Sequence, residues 1–224
     1  MDLILPIIGV FLSAILFVIV FQKVLVMRRE TFIKEYVFPK TIKTNVAKTY
    51  PHLKDFELDQ VMRGLRDYFH LISLSHQKMI AMPSQVVDIA WHEFILFTRE
   101  YDKFCSRALG RFLHHSPAET MKSQNIAQAG IKRAWRIACH LERINPFLPK
   151  RLPVIFALDA LLNIEDGFHY QLDCMKLSIS SSGGGSTGGH CGSHIGCSSG
   201  CAGSAGDGGC AGDGGGSGGG CGGN

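Results

Sequence analysis

Hydrophobic and polar positions along this 224-residue chain fall into three regimes. The first is unbroken. Residues Leu3 to Phe21 run nineteen in a row without a charge, with Ser13 the single hydroxyl and Pro6 the single proline. At a rise of about 1.5 Å per residue the run is roughly 28 Å long, close to the hydrocarbon thickness of a bilayer, and it predicts a membrane-spanning helix. A cleaved signal peptide would want positive charge before the run and a small-residue cleavage site after it. Here the N-terminus offers only Asp2, and the run passes into Gln22, Lys23 and Val24. A buried core helix seldom excludes polar residues from every face.

The second regime is periodic. Leu58, Val61, Met62, Leu65, Tyr68, Phe69 and Ile72 recur at helical spacing after Asp55, a capping residue. Val87, Ala90, Trp91, Phe94, Ile95, Thr98, Tyr101 and Cys105 continue that spacing in the stretch Met82 to Pro117, which predicts one long helix opening at Pro83 and Ser84 and stopping at Gly110. A further helix is predicted over Ala127 to Arg143, ended by Asn145 and Pro146, and a last one from Pro153 through VIFALDALL to Asn163. The last run also fits a strand by periodicity alone, but the body has no hairpin dipeptide and no alternating run. The fold class expected is all-α: an N-terminal transmembrane helix, then a bundle of four or five helices.

The third regime has almost no hydrophobic residues. The final 45 residues hold 21 of the 26 glycines and five of the eight cysteines, with no aromatic residue and Ile195 the one large aliphatic. Such a tail cannot bury enough surface to offset chain entropy, so disorder is expected there. The organisation expected is therefore a membrane anchor over 1–29, a basic juxtamembrane connector over 30–52, a helical domain over 53–179 and a Gly/Ser/Cys-rich tail over 180–224.

Charge adds an orientation. Lys23, Arg28, Arg29, Lys34, Lys40, Lys43 and Lys48 follow the apolar run against Glu30 and Glu35, and nothing basic precedes it. The positive-inside rule then puts the N-terminus outside and the helical body and tail in the cytoplasm, at an inner (cytoplasmic) membrane crossed once. The net charge of +4 is largely this collar, so no nucleic-acid partner is expected. The expected partners are the lipid bilayer and a protein at the inner membrane.

Candidate chemistry concentrates in Met82 to Pro117. Asp88 and His92 are four apart and share a helix face, as ligands on a zinc-binding helix must. His114 or His115 could join them, with Cys105 as a soft ligand, to hold zinc or another soft divalent metal, and Glu93 is then a candidate base for a metal-bound water. The same residues also fit a packed core in which Trp91, Tyr101 and Cys105 are buried and the histidines satisfy backbone groups at the Gly110 turn. In the tail, His190, Cys191, His194, Cys197 and Cys201 form a run, HCGSHIGCSSGC, followed by Cys210 and Cys221. Its irregular spacing does not match a preformed zinc knuckle, though it offers soft ligands or sites of modification. No glycine-rich phosphate loop and no serine elbow occurs in the body.

The runs VDIAWHEFILFTREYDKFC and GRFLHHSP, and later FALDALLNIEDGFHYQLDC ahead of the Gly/Cys tail, resemble uncharacterised bacterial proteins similar to the glycine-rich domain-containing family. Over Met82 to Asn224 this resemblance implies membership rather than an activity. Related plant proteins carry WHxH where this chain has Phe94, which removes one possible ligand. Three functions follow as expectations: a membrane-anchored interaction or scaffold module at the cytoplasmic face, a metal-dependent enzyme or metal-binding protein centred on His92, His114 and His115, and a precursor whose tail is modified. For the last, Gly196-Cys197, Gly200-Cys201, Gly209-Cys210 and Gly220-Cys221 resemble in composition the precursors of thiazole/oxazole-modified microcins.

Overall fold

The computed structural model describes residues 4–115, 124–172 and 190–191. Among them the chain is all-α, with seven helices and one two-residue parallel ladder. Helix α1 (Ile4–Glu35) is apolar for its first half, and the side chains from Phe11 to Val24 are exposed on every face. It is long and apolar enough to cross a membrane, a property it shares with signal sequences. The helix does not stop at the basic collar. It continues without a break into the body, where Ile33 is fully buried.

Residues 30–52, read from the sequence as a connector, thus form the end of α1 and a second helix, α2 (Lys40–Thr49), and they supply Ile33, Phe38, Ile42, Val46 and Tyr50 to the core. Phe32, Tyr36 and Phe38 meet Phe69, Phe94 and Phe104 in a pile of rings, with Tyr36 and Phe104 centroids 4.6 Å apart and Phe38 set edge-on to Phe94 at 5.2 Å. Aromatic pairs of this kind add about 0.5–1.5 kcal/mol each beyond the area they bury.

Helix α3 (Asp55–Leu74) is the hub, packed against α1, α2, α4, α6 and α7. The residue before it, Lys54, takes the cap position, and the Glu57 carboxylate accepts its N–H at 2.6 Å. Asp55, expected as the cap, lies in the first turn instead. Gly64 lets α3 approach closely: a Cβ there would stand 2.9 Å from both Val87 and Leu158.

The long central helix predicted from Met82 to Gly110 is two helices, α4 (Gln85–Ile95) and α5 (Thr98–Ala108), with a corner at Leu96 and Phe97. Ten residues of straight helix would carry Tyr101 about 15 Å along the axis from Trp91. The corner instead brings the Trp91 indole N–H to the Tyr101 hydroxyl at 3.1 Å, and sets Phe94 edge-on to both Tyr101 and Phe104. The break sacrifices a few backbone hydrogen bonds at about 1 kcal/mol each, and burial of Tyr101 and Phe104 at roughly 1.5–3 kcal/mol per side chain outweighs it. Gly110 (φ +72°) ends α5 as predicted, its N–H donating to Cys105 O at 3.1 Å.

Helix α6 (Gln124–Leu141) buries Ala134, Trp135, Ala138 and Cys139, and α7 (Val154–Leu161) follows Pro153. The run VIFALDALL is thus helix rather than strand. Its one acid, Asp159, is 1% exposed and satisfied by four donors: Ser84 Oγ at 2.6 Å, Gln85 N at 2.6 Å, Val86 N at 3.2 Å and Phe168 N at 2.8 Å. Asp159 and Ser84, whose Oγ accepts from Val87 N, together cap α4. Past α7, β1 (Tyr170–Gln171) pairs in parallel with β2 (His190–Cys191). The backbone of these two tail residues is therefore in regular structure, whereas the rest of the disorder expected over 180–224 lies outside the described residues.

Asp159→Ala leaves several buried donors without an acceptor, and the expected cost is at least about 3 kcal/mol of unfolding free energy. Asp159→Asn keeps the shape and one acceptor oxygen and should cost about half as much. Urea titration of the full chain in detergent, followed by fluorescence of Trp91 and Trp135, measures both.

Candidate metal centre

The cap on α4 sets the site. With Ser84 held by Asp159, Asp88 falls in the first turn of α4 and His92 one turn later on the same side. The third member arrives from the other direction. After Gly110 the chain doubles back, and Tyr101 fixes it by donating its hydroxyl to Leu113 O at 2.7 Å while accepting the Trp91 indole N–H. Two residues on, the His115 ring lies edge-on to Trp91 (centroids 4.7 Å) and against His92 (4.2 Å).

Asp88, His92 and His115 then converge, with one ligand atom from each within 4.8 Å of the others. His92 Nε2 is 2.8 Å from His115 Nε2, His115 Nε2 is 3.6 Å from Asp88 Oδ1, and His92 Nδ1 is 3.7 Å from Asp88 Oδ2. The His115 contact is made by His92 Nε2 and the Asp88 contact by His92 Nδ1, so a single ion would take one of these nitrogens, and the His92 ring would turn to bring the set within 4.8 Å to the about 3.3 Å that metal–nitrogen bonds of 2.0–2.1 Å in a tetrahedral site require. The 2.8 Å contact needs one ring to donate and the other to accept, so at least one imidazole is neutral. Burial, and then the charge of His92, hold the His115 pKa below its ordinary value, which favours the neutral form that a metal requires.

The three residues open onto a cavity of about 570 Å³, walled also by Tyr68, Ile80, Met82, Leu113 and Phe168. This lies within the usual range of small-ligand pockets. Three protein ligands would leave a tetrahedral ion one position open for a small molecule from the cavity.

Other predicted site residues are placed elsewhere. His114 is exposed at the cavity margin with its ring against Phe112 (4.8 Å), outside the three-residue cluster. Cys105 is fully buried beside Tyr101, and burial pushes its thiol pKa up, away from the thiolate a soft metal wants. Glu93 does not line the cavity, because its carboxylate accepts from Asn45 Nδ2 at 2.6 Å and ties α4 to α2. His194, Cys197, Cys201, Cys210 and Cys221 lie outside the described residues, and of His190 and Cys191 only the backbone pairing is described. Sequence reasoning missed Asp159, for which the signal was a lone acid in an apolar run, and Arg111 on the cavity wall, for which there was none.

Tyr101→Phe orphans the buried Trp91 N–H and releases Leu113 O, so about 2 kcal/mol of stability is expected to be lost. Hydrogen exchange of the amides of residues 112–115 should rise well above that of α3, and equal protection in the two chains would count against the tyrosine as the pin.

No curated protein and no solved structure matches the chain. The model of an uncharacterised family matches residues 28–195, well over half of the length and including α2 to α7 and all three converging residues. The chain belongs to the UCP032817-like family.

Proposed function

We propose that this protein is a membrane-tethered metal-binding module, in which α1 spans the bilayer once and the body holds a zinc-type divalent ion on Asp88, His92 and His115. The observation that carries the reading is the convergence of two imidazole nitrogens and a carboxylate at the wall of a cavity, built by two independent devices, the Asp159 cap on α4 and the Tyr101 pin on the returning segment. Structural histidines satisfy backbone groups, whereas His92 and His115 face each other and an acid. The basic collar supports a cytoplasmic body, with the N-terminus outside. Kinship to glycine-rich domain-containing proteins is part of this reading and rests on VDIAWHEFIL and GRFLHHSP, and a 2.8 Å contact between His92 and His115, one from each run, supports it.

A second reading, an interaction module at the inner membrane, is favoured by a groove between α3, α6 and α7. There Leu141, Val154 and Leu161 stand exposed beside Leu71 and Ile155. The two readings are compatible, since the groove and the metal cavity share none of their lining residues.

Loaded with Co(II) in detergent, the full chain should show visible bands of a tetrahedral nitrogen and oxygen site, free of the thiolate charge-transfer absorption that tail cysteines would add. His92→Ala or His115→Ala should remove these bands and about one equivalent of metal, with His114→Ala and Cys105→Ser leaving them in place. Retention of the bands in both cluster variants would end the proposal. For orientation, a membrane-impermeant thiol reagent applied to intact cells should leave the tail cysteines unlabelled until lysis. Labelling of intact cells would put the body on the other side.

A further inference from the structure

The cavity has a chemical bias beyond its metal ligands. Asp88 is the one acid among its described lining residues, while Lys78 and Arg111 are its cations, and neither forms an ion pair among the described residues. A divalent ion on one carboxylate and neutral imidazoles carries a net positive charge, and Arg111 and Lys78 add to it across the same space. Loaded with such an ion, the site would hold uncompensated positive charge beside an open coordination position. Met79, Ile80, Met82, Trp91, Leu113 and Phe168 make much of the remaining wall apolar, interrupted by Gln77, Gln85, Tyr68 and His114.

The geometry points to an amphipathic organic anion as the ligand of this cavity, its carboxylate on the open metal position and Arg111, its hydrocarbon part along Met79, Met82 and Phe168. This rests on the metal-binding reading. Arg111 suits the role because a planar guanidinium engages a carboxylate with two parallel donors, leaving the second carboxylate lone pairs for the metal. It also lies on the segment that carries His115, directly after the Gly110 turn, so the turn that presents one metal ligand presents the anion's partner as well. Lys78 is exposed at the rim, where it acts through long-range attraction rather than contact.

The test uses the Co(II)-loaded full chain in detergent and three probes: sodium hexanoate, sodium acetate and hexan-1-ol. Hexanoate should shift the visible Co(II) bands in a saturable way. It should bind about tenfold or more tightly than acetate, as four additional buried carbons require. Hexan-1-ol, which partitions into micelles at least as well but carries no charge, should leave the bands unmoved. Arg111→Gln should weaken hexanoate by about tenfold while Co(II) affinity stays within about threefold, the loss expected for one charge-assisted pair. Arg111→Lys should recover part of that loss, and Lys78→Gln, an exposed change, should have little effect at high salt. If Co(II) binds but hexanoate does not perturb it, or perturbs Arg111→Gln equally, the anion site is overturned and the metal reading stands. If Co(II) does not bind, or binds equally to His92→Ala, both fall.

Discussion

A carboxylate withdrawn from water has to find donors inside the protein, and Asp159 finds them across seventy residues of chain. Its oxygens take the Ser84 hydroxyl, the first two backbone N–H groups of α4 and the N–H of Phe168. These are among the donors a helix leaves unpaired at its start, where negative charge is also favoured by the helix dipole. The bond network therefore fixes where α4 begins, and with it the turn on which Asp88 and His92 stand. It also fixes Phe168, which lines the same cavity. Close approach is needed for this, and the small residues supply it: a Cβ on Gly167 would lie 2.6 Å from Asp159 Cβ.

A second constraint completes the arrangement from the opposite side. Tyr101 is buried at the corner between α4 and α5, and its hydroxyl is both acceptor and donor, so it locks the indole of Trp91 to the carbonyl of Leu113. The corner, the tyrosine and the Gly110 turn act together to lay an otherwise irregular segment over α4. Without the corner, α5 would run on past the site and residues 112–115 would have nothing to return to.

Much of the helical body was legible because α3, α6 and α7 carry buried residues at regular helical spacing. The corner at Leu96 was not, since Phe94, Thr98 and Tyr101 keep the spacing across it and only tertiary packing of Phe104 and Tyr101 reveals the bend. Helix α2 escaped notice because its ten residues hold only Ile42 and Val46 as large apolar side chains, too few to separate a helix from a polar linker. At the site, the spacing of Asp88 and His92 announced a shared face. The choice between His114 and His115 did not follow from spacing, because neighbours in an extended segment point to opposite sides, and the side is set by the bond from Tyr101 to Leu113. Asp159 was visible as an oddity in an apolar run, but its partners lie in a different part of the chain.

The unbroken course of α1 has a mechanical consequence. Its last turns are clamped by Ile33 and the ring pile, and Arg66 Nη2 donates to Tyr36 O just beyond its end, so there is no hinge between the apolar stretch and the body. A spanning rod whose apolar length exceeds the local bilayer thickness leans over, commonly by about 20°. A body fixed to such a rod leans with it. If α1 spans a bilayer as proposed, lipid thickness would thereby set the tilt of the whole body, since no joint separates the two.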